Sequence, residues 1–203
     1  MDARLVDDAD EAIRAGRPVV LPTDTVYGLC ATPYRVQPVE QLYRLKGRNP
    51  QQPLALLASD VDMLFECVPE LRGRAGSIVR ALLPGPFTLV LPNPAWRFQW
   101  LSGARPDTIG VRVPELVRSA KAIVGRIGAV AATSANLSGG PDAKRLDEVP
   151  DGIRAGAAVA IDGGELPGIP STVVDLTGPE PKILREGAVT AAEVLDLIGQ
   201  LVP

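Results

Sequence analysis

Apolar positions along the chain change period repeatedly, and the changes mark out alternating helices and strands. From Asp7 to Ala15 the spacing is helical, with Asp7 or Asp8 as the cap and Gly16 just past the end. Val19-Val20-Leu21 is a short buried strand ending at Pro22. Val39, Leu42, Tyr43 and Lys46 return to helical spacing after Pro38, and Gly47 stops that helix. Leu54 to Ala58 is a second apolar strand, and Asp60 can cap a further short helix. Ile78, Leu82 and Leu83 predict one more helix, broken by Pro84-Gly85-Pro86. Phe87 to Leu91 and Thr108 to Val113 are strands, and the second alternates Ile109, Val111 and Val113 against Gly110 and Arg112. Glu115 to Arg126 is an amphipathic helix, Gly128 to Ala132 a short buried strand, and Asp147 to Ala155 a helix. Ala157 to Ile161, Thr172 to Leu176 and the neighbourhood of Ile183 are late strands. Thr190-Ala191-Ala192-Glu193 is a capping box that opens a final helix through Leu195 and Ile198. The fold class is therefore α/β with a mixed sheet, because the connections are too irregular for a plain doubly wound fold.

Composition narrows this picture. The 203 residues, 46% hydrophobic and 22% charged, suit a soluble globular chain. With no repeat, low-complexity tract or linker, residues 1–203 are expected to form one domain. Twenty Gly and twenty Pro place much of the chain in turns, and 4% aromatics leave the core to Leu, Val, Ile and Ala. There is no histidine, which excludes Ser-His-Asp and Cys-His nucleophiles, HExxH zinc sites and every histidine acid/base mechanism. Cys30 and Cys67 form no CxxC pair, so a zinc cluster and a disulfide scaffold are both disfavoured, and two free buried thiols are expected. No apolar stretch follows a basic start, and none approaches the ~18 residues of a membrane helix. A cytoplasmic protein without membrane contact is the expectation.

The net charge of −3 hides an asymmetry. Residues 71–126 carry nine basic and two acidic side chains, between an acidic first third and an acidic last third. Such a block is either a solvated arginine face or a surface for a polyanion, and composition leaves the two even.

Four polar segments leave or enter apolar strands and are candidates for chemistry. Pro22-Thr23-Asp24-Thr25-Val26-Tyr27-Gly28 offers two hydroxyls and a carboxylate. In Lys46-Gly47-Arg48-Asn49-Pro50-Gln51-Gln52-Pro53, two cations flank a glycine and in an extended loop can converge on a phosphate. The same cations are equally an ordinary complement to a helix C-terminus. Thr133-Ser134-Ala135-Asn136-Leu137-Ser138-Gly139-Gly140 can bring N–H groups and hydroxyls to a phosphate, or be a polar turn, and it is neither a P-loop nor a dinucleotide fingerprint. Pro170-Ser171-Thr172 enters an apolar strand. Arg112 is a cation inside an alternating strand, explained equally by a salt bridge or by an anion site.

Taken in order, these segments resemble a known family. The series is Pro22 to Leu29, Lys46-x-Arg48, Gly85-Pro86-Phe87-Thr88, Val111-Arg112-Val113-Pro114, Ser134-Ala135-Asn136-x-Ser138-Gly139, Ser171 to Asp175 and Leu184-Arg185-x-Gly187. It is similar to the YrdC-like family, the threonylcarbamoyl-AMP synthases, over about residues 4 to 190, and matches the short, single-domain bacterial type.

The resemblance implies a three-layer, YrdC/RibB-like domain with a twisted mixed parallel and antiparallel sheet and a wide, positively charged cavity. It implies the reaction of L-threonine, bicarbonate and ATP to L-threonylcarbamoyl-AMP and pyrophosphate, with other proteins later transferring the group to tRNA. Lys46, Arg48, Ser134 and Asn136 are the implied catalytic set. Lys46, Arg48, Gln52, Thr108, Ser134, Asn136, Asp142 and Arg185 fall on ATP positions. Thr25, Leu57, Arg112, Ala132 and Ser171 fall on threonine positions, with Arg112 holding the amino acid's carboxylate. Longer members have a histidine near position 57, where this chain has Leu57, which marks a subtype. The lack of histidine agrees with the implied chemistry: a carbamate is already an anionic nucleophile and needs alignment and charge neutralisation rather than a strong base. No acidic cluster marks a protein-held metal, so Mg²⁺ is expected to arrive on the ATP. Two other readings stand beside this one: a module that binds double-stranded RNA or tRNA through phosphates, and a paralogue of the same fold without this activity.

Overall fold

The structure, a computed structural model, describes residues 3–200. Among the described residues nine strands form one continuous sheet, flanked by seven α-helices. In chain order the first elements are α1 (Ala3–Arg14), β1 (Val19–Pro22), β2 (Tyr27–Ala31), α2 (Val36–Lys46) and β3 (Ala55–Ala58). Then come α3 (Val61–Cys67), α4 (Arg74–Leu82), β4 (Phe87–Pro92), β5 (Thr108–Arg112), α5 (Arg118–Ile127) and β6 (Ala129–Ser134). The last are α6 (Asp151–Gly156), β7 (Val159–Ala160), β8 (Thr172–Asp175), β9 (Lys182–Arg185) and α7 (Ala191–Gly199). The strands lie in the order β7-β1-β2-β6-β3-β5-β4-β8-β9. The pairs β1–β7, β3–β5 and β4–β8 are parallel, and the other five are antiparallel. The α/β class with a mixed sheet is as expected.

Side-chain alternation divides the sheet into two faces with different cover. On one face Leu29, Leu56, Leu89, Ile109, Val111 and Val174 join Leu42 of α2, Leu64 and Phe65 of α3, Val79 of α4, Ile153 of α6 and Val194 of α7. On the other face Val19, Leu21, Cys30, Leu57, Val130 and Ala132 meet Val6, Ala9, Ala12 and Ile13 of α1 and Ala120, Ile123 and Val124 of α5. Each fully buried Leu or Ile contributes roughly 1.5–3 kcal/mol of transfer free energy. Helices α1 and α5 touch β7, β1 and β6 on this second face. Beyond them, across β3, β5, β4 and β8, the face is open and forms a cavity.

Several boundaries differ from those the pattern predicts. Helix α1 begins at Ala3, not at Asp7 or Asp8, because Val6 already belongs to its buried stripe. Asp7 and Asp10 sit on its outer face, bonded to Arg126 and Arg14. β2 was hidden by the polar segment before it. Its five residues are buried throughout, so it is a central strand without the alternation that marks a half-exposed one. β6 extends through Thr133 and Ser134. The helix expected over Asp147–Ala155 divides at Pro150 into a 3-10 turn over Leu146–Glu148 and the short α6. α5 starts at Arg118, after the extended 113–117, and β7 shrinks to two residues. Both cysteines are free, but only Cys30 is buried; Cys67 is half-buried. No helix among the described residues is long and apolar enough to cross a membrane.

Candidate active site

The cavity encloses about 360 Å³ on the uncovered part of the second face. Alternation supplies its floor. Thr108, Gly110 and Arg112 of β5 point into it, while Ile109 and Val111 between them point into the opposite core. Leu57 of β3, Thr88 and Val90 of β4, Ala132 and Ser134 of β6 and Val173 of β8 complete it. Thr23 and Thr25 of the turn before β2 form one wall, and Arg48 and Pro53 another. Asp142, Ser171, Leu184 and Arg185 stand at the rest of the rim. Of the thirteen residues predicted for the site, ten line this cavity: Thr25, Arg48, Leu57, Thr108, Arg112, Ala132, Ser134, Asp142, Ser171 and Arg185.

Lys46 and Asn136 stand behind the wall. Lys46 ends α2, and Gly47 caps that helix at φ 63°, a left-handed conformation that a Cβ would disfavour. The chain therefore turns at Gly47, and Lys46 and Arg48 do not project together from an extended loop. The Lys46 side chain enters the turn after β6. There Nζ donates to Ser134 O at 2.7 Å, Ser134 Oγ at 3.2 Å, Asn136 O at 2.9 Å and Asn136 Oδ1 at 2.5 Å. Ser134 Oγ donates to Asn136 Oδ1 at 2.6 Å, and Asn136 Nδ2 donates to Gly140 O at 2.6 Å. Burial, with Arg48 nearby, pulls the Lys46 ammonium down to about 8. Gln52 lies exposed off the wall; its carbonyl accepts from Tyr43 Oη at 3.0 Å.

Three guanidinium groups reach the cavity from different elements. Arg48 donates from Nη2 to Pro53 O at 3.0 Å, and burial holds its pKa below the usual range, with Arg185 adding to the lowering. Arg185 donates from Nη2 to Ser171 O at 2.8 Å and to Ser171 Oγ at 3.2 Å. Ser171 Oγ is in turn 2.8 Å from Thr88 Oγ1. Gly187 permits this arrangement, because a Cβ there would lie 2.1 Å from Pro170 O. Arg112 differs from the other two in having a carboxylate partner. Its Nη2 donates to Asp24 Oδ1 at 2.7 Å and to Thr25 Oγ1 at 3.3 Å. Arg112 and Asp24 are 12% and 8% exposed at the side chain, so this is a desolvated ion pair.

Four buried side-chain polar atoms lack a partner among the described residues: Asp24 Oδ2, Arg48 Nε, Ser102 Oγ and Arg112 Nε. Arg48, Ser102 and Arg112 line the cavity, and Asp24 is bonded to one of them. Each such atom costs about 1–3 kcal/mol unless a ligand or water meets it. The concentration of that cost at one place marks a binding site for polar, anionic groups. Asp24 and Ser102 were not singled out in the sequence. Asp24 stood in view beside Thr25, but nothing in the pattern tied it to a strand 88 residues away.

The arginine block of residues 71–126 does not build this site. Arg72, Arg80, Arg97, Arg105 and Arg126 each form an ion pair on the surface, with Glu66, Asp62, Glu70, Asp175 and Asp7. Among the block's described side chains, Arg112 is the one cation on the cavity wall.

A three-layer fold with an arginine-lined cavity on an uncovered sheet face is a ligand-binding α/β architecture. The model of the Sua5/YciO/YrdC family, described as "Telomere recombination", matches residues 11–187, and the chain belongs to that family. It is 34% identical over 190 residues to a threonylcarbamoyl-AMP synthase of Pyrococcus abyssi, covering 93% of this chain and 56% of that protein. It is 33% identical over 200 residues to a putative threonylcarbamoyl-AMP synthase of Mycobacterium tuberculosis, covering 97% of this chain and 90% of that one. A crystal structure of P. abyssi Sua5 complexed with L-threonine superposes with a TM-score of 0.86 at 34% identity, over 97% of this chain and 58% of that one. The chain thus spans little more than half of the archaeal relative and nearly all of the mycobacterial one.

Proposed function

We propose that the chain is an L-threonylcarbamoyl-AMP synthase acting in tRNA modification. The amine of threonine and bicarbonate give the carbamate with loss of water. A carbamate oxygen then attacks the α-phosphorus of ATP, the bond from that phosphorus to the bridging oxygen breaks, and pyrophosphate leaves. The observation that carries this reading is one cavity lined by guanidinium groups of two kinds, one paired with a carboxylate and two not. Arg112 has the Thr25 hydroxyl at one nitrogen and the apolar Leu57 as its neighbour on β3, and Ala132 and Val90 add further apolar lining to the same cavity. That combination suits a small amino acid bearing a carboxylate and a β-methyl. Arg48 and Arg185 have carbonyls and hydroxyls as partners but no carboxylate in salt-bridge contact, which suits phosphates.

In this reading Arg112 receives the threonine carboxylate and the Ser171 hydroxyl orients the rest of the molecule. Arg48 and Arg185 offset phosphate charge as the anionic nucleophile approaches an anionic electrophile. Lys46 acts one step back, by holding Ser134 and Asn136 in a fixed turn with Ser134 Oγ at the cavity. No group of three or more Cys, Asp or Glu side chains among the described residues is arranged to hold a metal, and Asp142 is the one carboxylate on the described wall. The residues present do not make a cage for Mg²⁺, so the ion would come and go with the ATP phosphates. Bicarbonate as co-substrate, and later transfer of the product to tRNA by other proteins, complete the proposal.

The test is pyrophosphate release by the purified chain. Release should require ATP, L-threonine and bicarbonate together. ATP turnover indifferent to threonine overturns the assignment.

A further inference from the structure

The Asp24–Arg112 pair is one hydrogen bond short of a full fork. One nitrogen and one oxygen meet at 2.7 Å, while Arg112 Nε and Asp24 Oδ2 remain buried without partners. Thr25 Oγ1 lies within 3.4 Å of Asp24 Oδ1 and 3.3 Å of Arg112 Nη2, closing a small triangle at the cavity wall. Asp24 itself is not on that wall, whereas Arg112 is. The carboxylate therefore grips the guanidinium from behind at Nη2 and leaves Nη1 for the cavity. Burial pushes the Asp24 carboxyl up and Arg112 pulls it back down. Burial, with Arg185 as like charge, works against the Arg112 cation, and Asp24 supports it.

We infer that Asp24 is a positioning and specificity-determining residue. It fixes the direction of the Arg112 guanidinium and cancels its charge, so that Arg112 accepts the carboxylate of a zwitterionic amino acid and not a phosphate. The inference rests on the functional reading above and adds a residue to it. Its physical basis is the contrast in partners within one cavity. Arg48 and Arg185 have no carboxylate in salt-bridge contact, and without Asp24 the Arg112 guanidinium would carry the same bare charge. A pyrophosphate or triphosphate would then compete for the place of the amino acid. With Asp24 the Arg112–Asp24 pair is itself neutral, which favours a group whose own charges sum to zero.

The experiment is calorimetric titration of the purified chain with L-threonine and, separately, with inorganic pyrophosphate. Asp24→Asn keeps the shape and removes the charge. It should weaken threonine binding by about 10- to 100-fold, the cost of a misdirected partner group, while pyrophosphate binding stays equal or becomes tighter. Equal loss of both ligands, or unchanged threonine affinity with a lower melting temperature, overturns the inference and makes the pair merely structural. If Asp24→Asn fails to fold, Arg112→Gln is compared with the neutral double variant Asp24→Asn/Arg112→Gln. The same threonine affinity in both means that Asp24 acts through Arg112. A further loss in the double variant means that Asp24 touches the amino acid directly and overturns the positioning role. A wild-type chain that binds no threonine overturns the functional reading first, and the inference with it, which separates the two failures.

Discussion

The cations on the surface and the cations at the cavity obey different physics. Arg72, Arg80, Arg97, Arg105 and Arg126 are 41% to 59% exposed at the side chain, and each meets a carboxylate from another part of the chain. Lys46 and Arg112 are nearly enclosed, Arg48 is half-buried, and Arg185 sits at the mouth. Within this second group only Arg112 has a carboxylate in salt-bridge contact. Surface charge is neutralised locally because water and long side chains make pairing easy and nearly free. Charge at a cavity is held without full compensation only where the surrounding fold bears the cost. A run of arginines in a sequence therefore points to a face, and isolated cations entering buried strands or turns point to a site.

The sharpest way to break this comparison is at Arg48. Arg48→Ala should lower the rate of pyrophosphate release by about 10- to 100-fold, the worth of a charge-assisted contact of roughly 1.5–3 kcal/mol. The melting temperature should stay level or rise, because a buried unpartnered Nε disappears and Arg185 loses a like-charged neighbour. A parallel fall in activity and melting temperature would make Arg48 an ordinary structural cation.

Lys46 offers a smaller effect read through pH. Its folded pKa of about 8 lies below the ordinary 10.5, so between those values the unfolded chain binds the extra proton. Stability should therefore rise with pH across that window, as the cost of burying the charged ammonium is relieved. The melting temperature of the wild type, taken relative to Lys46→Met at each pH, should increase from pH 8 towards pH 10. A flat difference would mean that the four surrounding oxygens keep the ammonium protonated throughout.

Smallest of all should be the surface. Arg72→Gln, Arg80→Gln and Arg126→Gln are each expected to leave the melting temperature almost unchanged and pyrophosphate release untouched. Loss of activity in a triple variant would restore the arginine block as a functional, polyanion-binding surface.

Much of this architecture can be read from the chain before any coordinates. The alternation of Ile109 and Val111 against Gly110 and Arg112 sorts β5 into a core side and a cavity side. Leu57 and Ala132 are visible as apolar strand positions, and Arg185 follows from its place in the motif series. What escapes is what depends on three-dimensional return. β2 carries no period because both its faces are covered, so it reads as part of a polar loop. Asp24 has meaning only once Arg112 arrives from β5. Lys46 and Arg48 look like a matched pair in the sequence, but the left-handed Gly47 sends one into the turn behind Ser134 and the other to the cavity rim. The basic block misleads for the same reason, since its acidic partners are supplied from the first and last thirds of the chain.

Strand order has a consequence for the birth of the molecule. β8 and β9 are the last strands in the sequence, yet they pair against β4 and carry Ser171 and Arg185 to the cavity. A chain made from its N-terminus displays the Arg48, Leu57 and Arg112 walls long before the opposite wall exists. Until residue 185 is in place, the floor of the site is an apolar, cationic sheet face open to solvent beside an unpaired edge of β4. Contacts this distant form slowly. The half-built cavity therefore leaves the β4 edge free to pair with another chain, and the closing of β8 onto β4 both pairs that edge and completes the site.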